Sequence, residues 1–306
     1  VNNEYAPDLI RFIKTSLKGD GVGYYTFLKR LDESVPDLTA LQLELIKRLS
    51  TMLPLVRPYE FAIMQELILH GPLSINELKG RIAVHWPFDH VHFSHSLDYL
   101  QNHFLSVNEQ LTIQPFIEIK NNIVSNVYEV ETYRFKKFVL DLLEYGLGRY
   151  LSEFGNNHVG LTLYRNYTTE QLLMMALQKS TRYFRGTLFE SDNTTYILAG
   201  LKKDLEDDHH LNYKDKFLSD GVFQWESETS TTLTNKTGIK VKNTKVAHLF
   251  IRKGKEEDNI TLPYIYIGTG RFTNIRPSDN PKQTLLVDVI LDEKIPEYLH
   301  YDFQIK

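Results

Sequence analysis

The stretch Tyr213–Thr232, YKDKFLSDGVFQWESETSTT, sets a large indole among groups that hydrogen-bond. Read as a strand, it puts Phe223, Trp225 and Ser227 on one face and Gln224, Glu226 and Glu228 on the other. An aromatic face stacks on a planar heterocycle, worth roughly 1–3 kcal/mol per base. A carboxylate beside it can accept from an exocyclic amino group, as Asp and Glu do from cytosine. Tyr213, Asp215, Glu226 and Tyr264 are of the types that would complete a pocket around such a ring. A strand tryptophan also serves as a core residue, so both uses of Trp225 stay open at this point.

A second group supplies charge. The run KVKNTKVAHLFIRKGK carries Lys240, Lys242, Lys245, Arg252, Lys253 and Lys255 with no acid among them. The whole chain has a formal net charge of -4, so this is a local footprint suited to a phosphate backbone. Lysines protecting a solvated strand edge are the structural alternative.

Other chemistries lack their residues. The chain has no G-x-x-x-x-G-K-[ST] loop for ATP, no G-x-S-x-G elbow and no H-x-K phospholipase-D motif. Cysteine is absent, which removes disulfides, thiol nucleophiles and thiolate metal sites. Asp207, Asp208, His209 and His210 lie in a polar run and read as a solvated loop. The expectation is a binding module without catalysis, metal or cofactor. No apolar run is long enough to span a bilayer, and no signal peptide is visible. The chain starts at Val1 and reads as a fragment of a longer, cytoplasmic polypeptide.

The elements that must position these groups fall in two halves. With 306 residues and 42% hydrophobic content, two or three small domains can each bury a core. The first half, residues 1–155, reads as helical. Leu9, Ile10, Ile13 and Leu17 follow a helical period after Pro7, GDGVG reads as a turn, and helices follow around Tyr25–Leu31 and Leu41–Met52. Residues 57–128 have the order of a winged helix: Pro58 opens a helix, SINE at Ser74–Glu77 is a capping box, Phe93–Phe104 gives a third helix, and LTIQPFIEIKNNIVSNVYEV alternates like a wing. The third helix carries histidines and no Lys or Arg, which makes it a poor DNA reader and suits a docking or coupling role. His92 and His95 share a helix face, but no glutamate completes a metal-binding H-E-x-x-H. A helix through Phe135–Leu143 closes this half, with GLGRYLSEFGNN as its fraying end and linker. Residues 156–306 turn to short β segments, TYILAGL, GVFQWES, VAHLFIRK, PYIYIG and TLLVDVIL, which suggest a small half-open or closed barrel.

Residues Leu161–Phe303 resemble the C-terminal domain of SauUSI-type type IV modification-dependent restriction enzymes. Those long chains combine a phospholipase-D-type nuclease with a DEAD/DEAH helicase. The resemblance is carried by LTLYRNYTTEQLL, by the tandem Y-x-D, F-x-W-x-S and T-T within Tyr213–Thr232, and by HLFIRKG, PYIYIG and IRP. It implies an α+β chain, with a helical, winged-helix-like domain followed by an SRA-like (PUA-like) β-barrel domain. It further implies recognition of double-stranded DNA containing 5-methylcytosine or 5-hydroxymethylcytosine by base flipping. The implied partners are that DNA and the helicase and nuclease of the same parent chain, with no membrane. Tyr213, Asp215, Phe223, Trp225, Ser227 and Thr231 stand at matching motif positions, with Thr231 placed on the DNA backbone beside the basic run. Relatives often carry a glutamine-asparagine pair where this chain has Glu228 and Thr229, and Gln178–Thr195 departs from the pattern. The competing reading is a structural or protein-interaction module packed on a helicase core without touching DNA.

Overall fold

The computed structural model describes residues 25, 29, 37–130, 132–155, 160–179, 186–190, 192–201, 213–254, 256–257 and 260–305. The expected helix after Pro7, the GDGVG turn, most of the Tyr25–Leu31 helix, the Asp207–His210 loop and Lys255 lie outside the described residues. The chain divides into two compact units, residues 1–160 with 174–181, and residues 161–173 with 182–306. The sequence places a single boundary at 155/156; the structure moves it to 160 and returns Met174–Thr181 to the first unit.

In the first unit, α1 (Ala40–Met52) starts at a capping box between Thr39 and Gln42 and buries Leu45, Ile46 and Leu49. Helix α2 (Tyr59–His70) is buried through most of its length and so carries apolar residues on several faces. Strand β1 (Leu73–Ser74) leads into α3 (Ile75–His85), whose capping box is the expected one: Ser74 Oγ accepts from Glu77 N, and Glu77 accepts from Ser74 N at 2.9 Å. Helices α4 (His90–Leu100) and α5 (Val107–Thr112) follow. The hairpin β2 (Ile117–Lys120) and β3 (Ile123–Asn126) turns through Asn121 and Asn122, both at positive φ, which asparagine tolerates better than most residues. Strand β1 adds to β3, giving the order β1-β3-β2.

The last helix of this unit, α6 (Tyr133–Phe154), runs unbroken through the GLGRYLSEF stretch that composition marks as a fraying end. The physical reason is packing at Gly146. A Cβ there would lie 2.5 Å from the Phe61 ring and 2.8 Å from Leu53, so glycine lets α6 approach α2 closely. Here glycine serves a helix interface and does not terminate the helix.

The second unit begins with β4 (Asn166–Tyr167) and with α7 (Thr169–Met175), whose last residues belong to the first unit. It continues with β5 (Thr187–Phe189), β6 (Thr194–Gly200), β7 (Lys216–Ser219), β8 (Val222–Glu226), α8 (Lys236–Asn243) and β9 (Val246–Arg252). After the small β10 (Glu256–Glu257) and β11 (Ile260–Thr261) ribbon come β12 (Tyr264–Pro277), β13 (Leu285–Leu291), a 3-10 turn at Glu297–Leu299 and α9 (His300–Phe303). The main sheet has eight strands in the order β5-β6-β9-β12-β13-β8-β7, with β4 paired to β12. The fold is thus the expected mixed α+β one. Its sheet does not close, since β5 and β7 stand as its two margins among the described residues. Its core gathers Ile197, Phe223, Trp225, Val241, Leu249, Ile267, Val287 and Val289.

Candidate nucleic-acid interface

The motif strand β8 is fixed from both faces. Phe223 is fully buried and Trp225 is 3% exposed, both in the core cluster. The indole stacks on Phe272 at 5.5 Å between centroids, and Phe217 meets Phe223 edge-on. The pocket reading of Phe223 and Trp225 is therefore corrected: their rings already face protein. The opposite face is polar but also buried. Gln224 donates to Lys214 O at 2.7 Å and accepts from Arg276 at 3.2 Å, and Arg276 also binds Asp288 at 3.0 Å.

Glu226 is the hub of that face. Its Oε2 accepts from Lys214 N at 2.6 Å, and its Oε1 accepts from Ser278, Asn280 and Thr284. Burial raises its carboxyl, and these hydrogen bonds outweigh that and hold it below the usual range. Asp215 accepts from Glu226 N at 2.8 Å and so fastens the start of β7 to the end of β8. Ser227 is 1% exposed, and its Oγ accepts from Leu285 N at 2.8 Å. Thr231 is 2% exposed and pairs through its backbone with Gln283. These burials correct the placement of Glu226 and Ser227 in an open pocket and of Thr231 on a DNA backbone. The shared motif builds a hairpin and its latch.

Tyr264 is likewise separated from the group. It opens β12, whereas Glu226 is gathered around Ser278 just beyond the far end of that strand. At roughly 3.3 Å per residue the two ends of β12 are tens of ångströms apart. Tyr264 carries Arg252 over its ring at 4.6 Å.

Tyr213 and Glu228 lie on either side of the β7–β8 hairpin. Desolvation raises the Tyr213 phenol, the carboxylates of Glu228, Asp215 and Glu226 add to that, and the Thr229 backbone opposes it. Glu228 Oε1 accepts from Thr187 N at 3.2 Å. Desolvation raises its carboxyl, and the Thr187 bond opposes that. Tyr213 is half-buried and Glu228 is exposed.

The basic run splits. Lys240 and Lys242 lie in the last turn of α8, which suits the helix dipole, and Lys245 follows in the turn to β9. All three are exposed, as is Lys236 at the start of α8. Asn235 caps this helix on Gly238 N at 2.9 Å, while Gly238 and Val241 face inward. Lys240 sits over the Phe189 ring at 5.5 Å, two residues along β5 from Thr187. Lys240 thereby lies beside β5. Arg252 ends β9 at its other end, and Lys253, the next residue, is paired with Asp302 at 2.5 Å.

Residues 161–303 match the domain of unknown function DUF3427, and residues 5–152 match the domain of unknown function DUF8090. Among solved structures, the SUVH5 SRA domain with hemi-methylated CG DNA aligns at TM-score 0.32 and 10% identity, over 45% of this chain and 94% of that one. The same domain with methylated CHH DNA gives TM-score 0.32 and 10% identity, over 45% and 94%. Arabidopsis thaliana SUVH6 in complex with SAM aligns at TM-score 0.31 and 13% identity, over 55% of this chain and 35% of that one. No curated protein matches.

Two side-chain groups escape the sequence reading. On the sheet, Tyr196 stacks on His248 at 4.7 Å, and His248 Nδ1 meets the Tyr266 hydroxyl at 2.9 Å. Desolvation pushes His248 down to about 4 and Tyr196 up to about 12. In the first unit, Arg57 donates to Glu60 at 2.9 Å, to His95 Nδ1 at 3.0 Å and to Met174 O at 3.2 Å, and reaches His92 Nδ1 at 3.4 Å. His92 and His95 do share a face, as their spacing requires, and it faces a guanidinium. Their spacing carried the face; only the fold could bring Arg57 to it.

Proposed function

We propose that the second unit recognises double-stranded DNA carrying 5-methylcytosine or 5-hydroxymethylcytosine, by flipping the modified base. In this reading it is the target-sensing part of an ATP-dependent type IV restriction endonuclease. The first unit, with its winged-helix-like segment, couples it to the helicase and nuclease of the same parent chain. The chain itself neither hydrolyses ATP nor cuts DNA.

The observation that carries the reading is the exposed lysine set Lys240, Lys242 and Lys245 at the end of α8, on the unit that also holds the half-buried Tyr213 and the exposed Glu228. Flipping costs a few kcal/mol, least for a weakly stacked base. Stacking on an aromatic ring returns roughly 1–3 kcal/mol, and phosphate contacts to Lys240, Lys242 and Lys245 supply affinity without sequence. One buried methyl group contributes only about 0.8 kcal/mol, so selectivity also needs a polar contact and a close fit. The motif resemblance of Tyr213–Thr232 supports the same reading. It is tested by gel shifts at fixed salt with otherwise identical duplexes carrying cytosine, 5-methylcytosine or 5-hydroxymethylcytosine. Tighter binding of the modified duplexes is expected; equal binding of all three would overturn the proposal.

A further inference from the structure

Independently of what the second unit binds, we infer that Met174–Thr181 is a detachable docking segment of the first unit, gripped through its backbone by Arg57 and His95 and able to leave while both units stay folded. The chain passes to the second unit after 160, returns at Met174 and leaves again after Thr181. Docked, the segment gives the two units a second connection. Released, it leaves the covalent link at 160/161 alone.

The grip is side chain on backbone. Arg57 donates to Met174 O at 3.2 Å, and His95 Nε2 donates to Gln178 O at 2.8 Å. Met174 O also accepts from Leu177 N at 3.2 Å, so the guanidinium stands at the carbonyl end of α7, where a cation suits the helix dipole. His95 belongs to α4, the helix that a DNA reader of this order would offer to the groove. Here it serves a carbonyl of its own chain.

The receptor is complete without its occupant. Arg57 and Glu60 are buried and bonded to each other at 2.9 Å, and Arg57 also meets His95 Nδ1 at 3.0 Å. Asp89 caps α4 on His92 N at 2.8 Å, and Phe93 of α4 packs against Tyr59 and Phe88. A buried ion pair is costly to break when one ion loses its partner. Departure of the segment strands no charge, because Glu60 keeps its guanidinium and the freed donors turn to water. The segment itself favours departure. Leu177 sits at φ 55°, in the left-handed region that disfavours a side chain. Its buried anchors include Met174 and Met175, unbranched side chains that repack readily.

Hydrogen exchange on the full chain, read peptide by peptide in rising sub-denaturing urea, tests this. Peptides over 174–179 should exchange about tenfold or more faster than those over α2 at 61–68, and with little dependence on urea, since a local opening exposes little surface. R57K keeps an ion for Glu60 but loses the fork that also reaches Met174. H95F keeps a ring against Phe104, which His95 meets at 4.6 Å, but loses the donor. Each should speed 174–179 several-fold and leave α2 and β9 unchanged. Leu177→Asn, which tolerates left-handed backbone, should slow 174–179. Wild-type exchange of 174–179 in step with α2, at the same urea dependence, would overturn the proposal and make the segment a fixed part of the first unit's core. So would R57K and H95F if both left 174–179 unchanged or both sped α2 by as much.

Discussion

The Thr187 amide and the Glu228 carboxylate meet at 3.2 Å across the open side of the second unit's sheet. Thr187 begins β5, one margin of the sheet, and Glu228 follows β8, the neighbour of the opposite margin. A single side chain thus bridges the gap that strand pairing leaves. Desolvation raises its carboxyl above the ordinary value. A raised folded-state value means that this group favours folding most below its unfolded value, and that the benefit is lost as pH rises through the folded one. At neutral pH the ionised Glu228 therefore opposes folding. E228Q, which keeps an acceptor for Thr187, should melt at least as high as wild type at pH 7, with the difference shrinking towards pH 4. A marked drop in Tm at pH 7 would make Glu228 a structural strap.

Trp225→Ala should act through stability. The indole is 3% exposed and stacked on Phe272, so its removal should cost about 3–5 kcal/mol, the range for large core aromatics. Trp225→Phe should restore most of that and leave the preference for modified DNA intact. A well-folded Trp225→Ala that had lost only its preference for 5-methylcytosine would return the indole to the pocket.

The strand FQWES was legible as a strand because its alternation is local, and so were the capping box at Ser74 and the β segments around Leu249 and Val287. The use of each face was not. Alternation normally pairs a buried face with a solvated one, but Gln224 and Glu226 are buried too, under the 276–284 segment that folds back over them. That burial depends on partners some fifty residues away in the chain, which no local pattern reports. The lysine run misled in a similar way. KVKN is helical because Asn235 caps it and Val241 finds the core, so α8 and β9 share one run of charge. Glu228 reads as sharing a strand face with Gln224 and Glu226 and as a departure from the motif, whereas β8 ends at Glu226.

Replacing Lys240, Lys242 and Lys245 together with Ala should weaken modified and unmodified duplexes alike. The slope of log K against log salt should flatten by about 0.9 for each phosphate contact removed. Lys253→Ala should leave the slope nearly unchanged, because that lysine is already paired with Asp302. Salt titrations of both variants decide it, and an unchanged slope in the triple variant would place the phosphate track elsewhere.

Gly238→Ala should dislodge α8. A Cβ there would overlap the Thr232 carbonyl, a backbone atom that cannot swing aside. Overpacking of this kind costs about 1–3 kcal/mol. The displaced helix should also carry Lys240 and Lys242 away from β5, so affinity for all duplexes should fall together with Tm. Unchanged Tm and affinity would show that the turn before α8 yields freely.

The first unit should lose stability in mild acid through His95. A guanidinium only donates, so His95 Nδ1 must accept from Arg57, and the proton sits on Nε2, which donates to Gln178 O at 2.8 Å. Desolvation, with Arg57 beside it, lowers this imidazole to about 4. The folded value is depressed, so the unfolded chain takes up the proton first. Stability is complete above the unfolded value near 6.5 and drains as pH falls towards 4. From that difference the loss at pH 5 is ~2 kcal/mol for this residue. His248 falls in the same range but belongs to the second unit, so the readout must be local. The two tryptophans allow that: Trp86 packs on Tyr150 in the first unit, and Trp225→Phe leaves it as the sole indole. In that background, urea unfolding at pH 7 and pH 5 should show a marked loss with His95 present. His95→Gln, which cannot take up a proton, should flatten the dependence, leaving the smaller part due to His92, which is also lowered. Equal pH dependence in the two proteins would mean that His95 is already protonated against Arg57, and that the Arg57 cluster is not held together by neutral histidines.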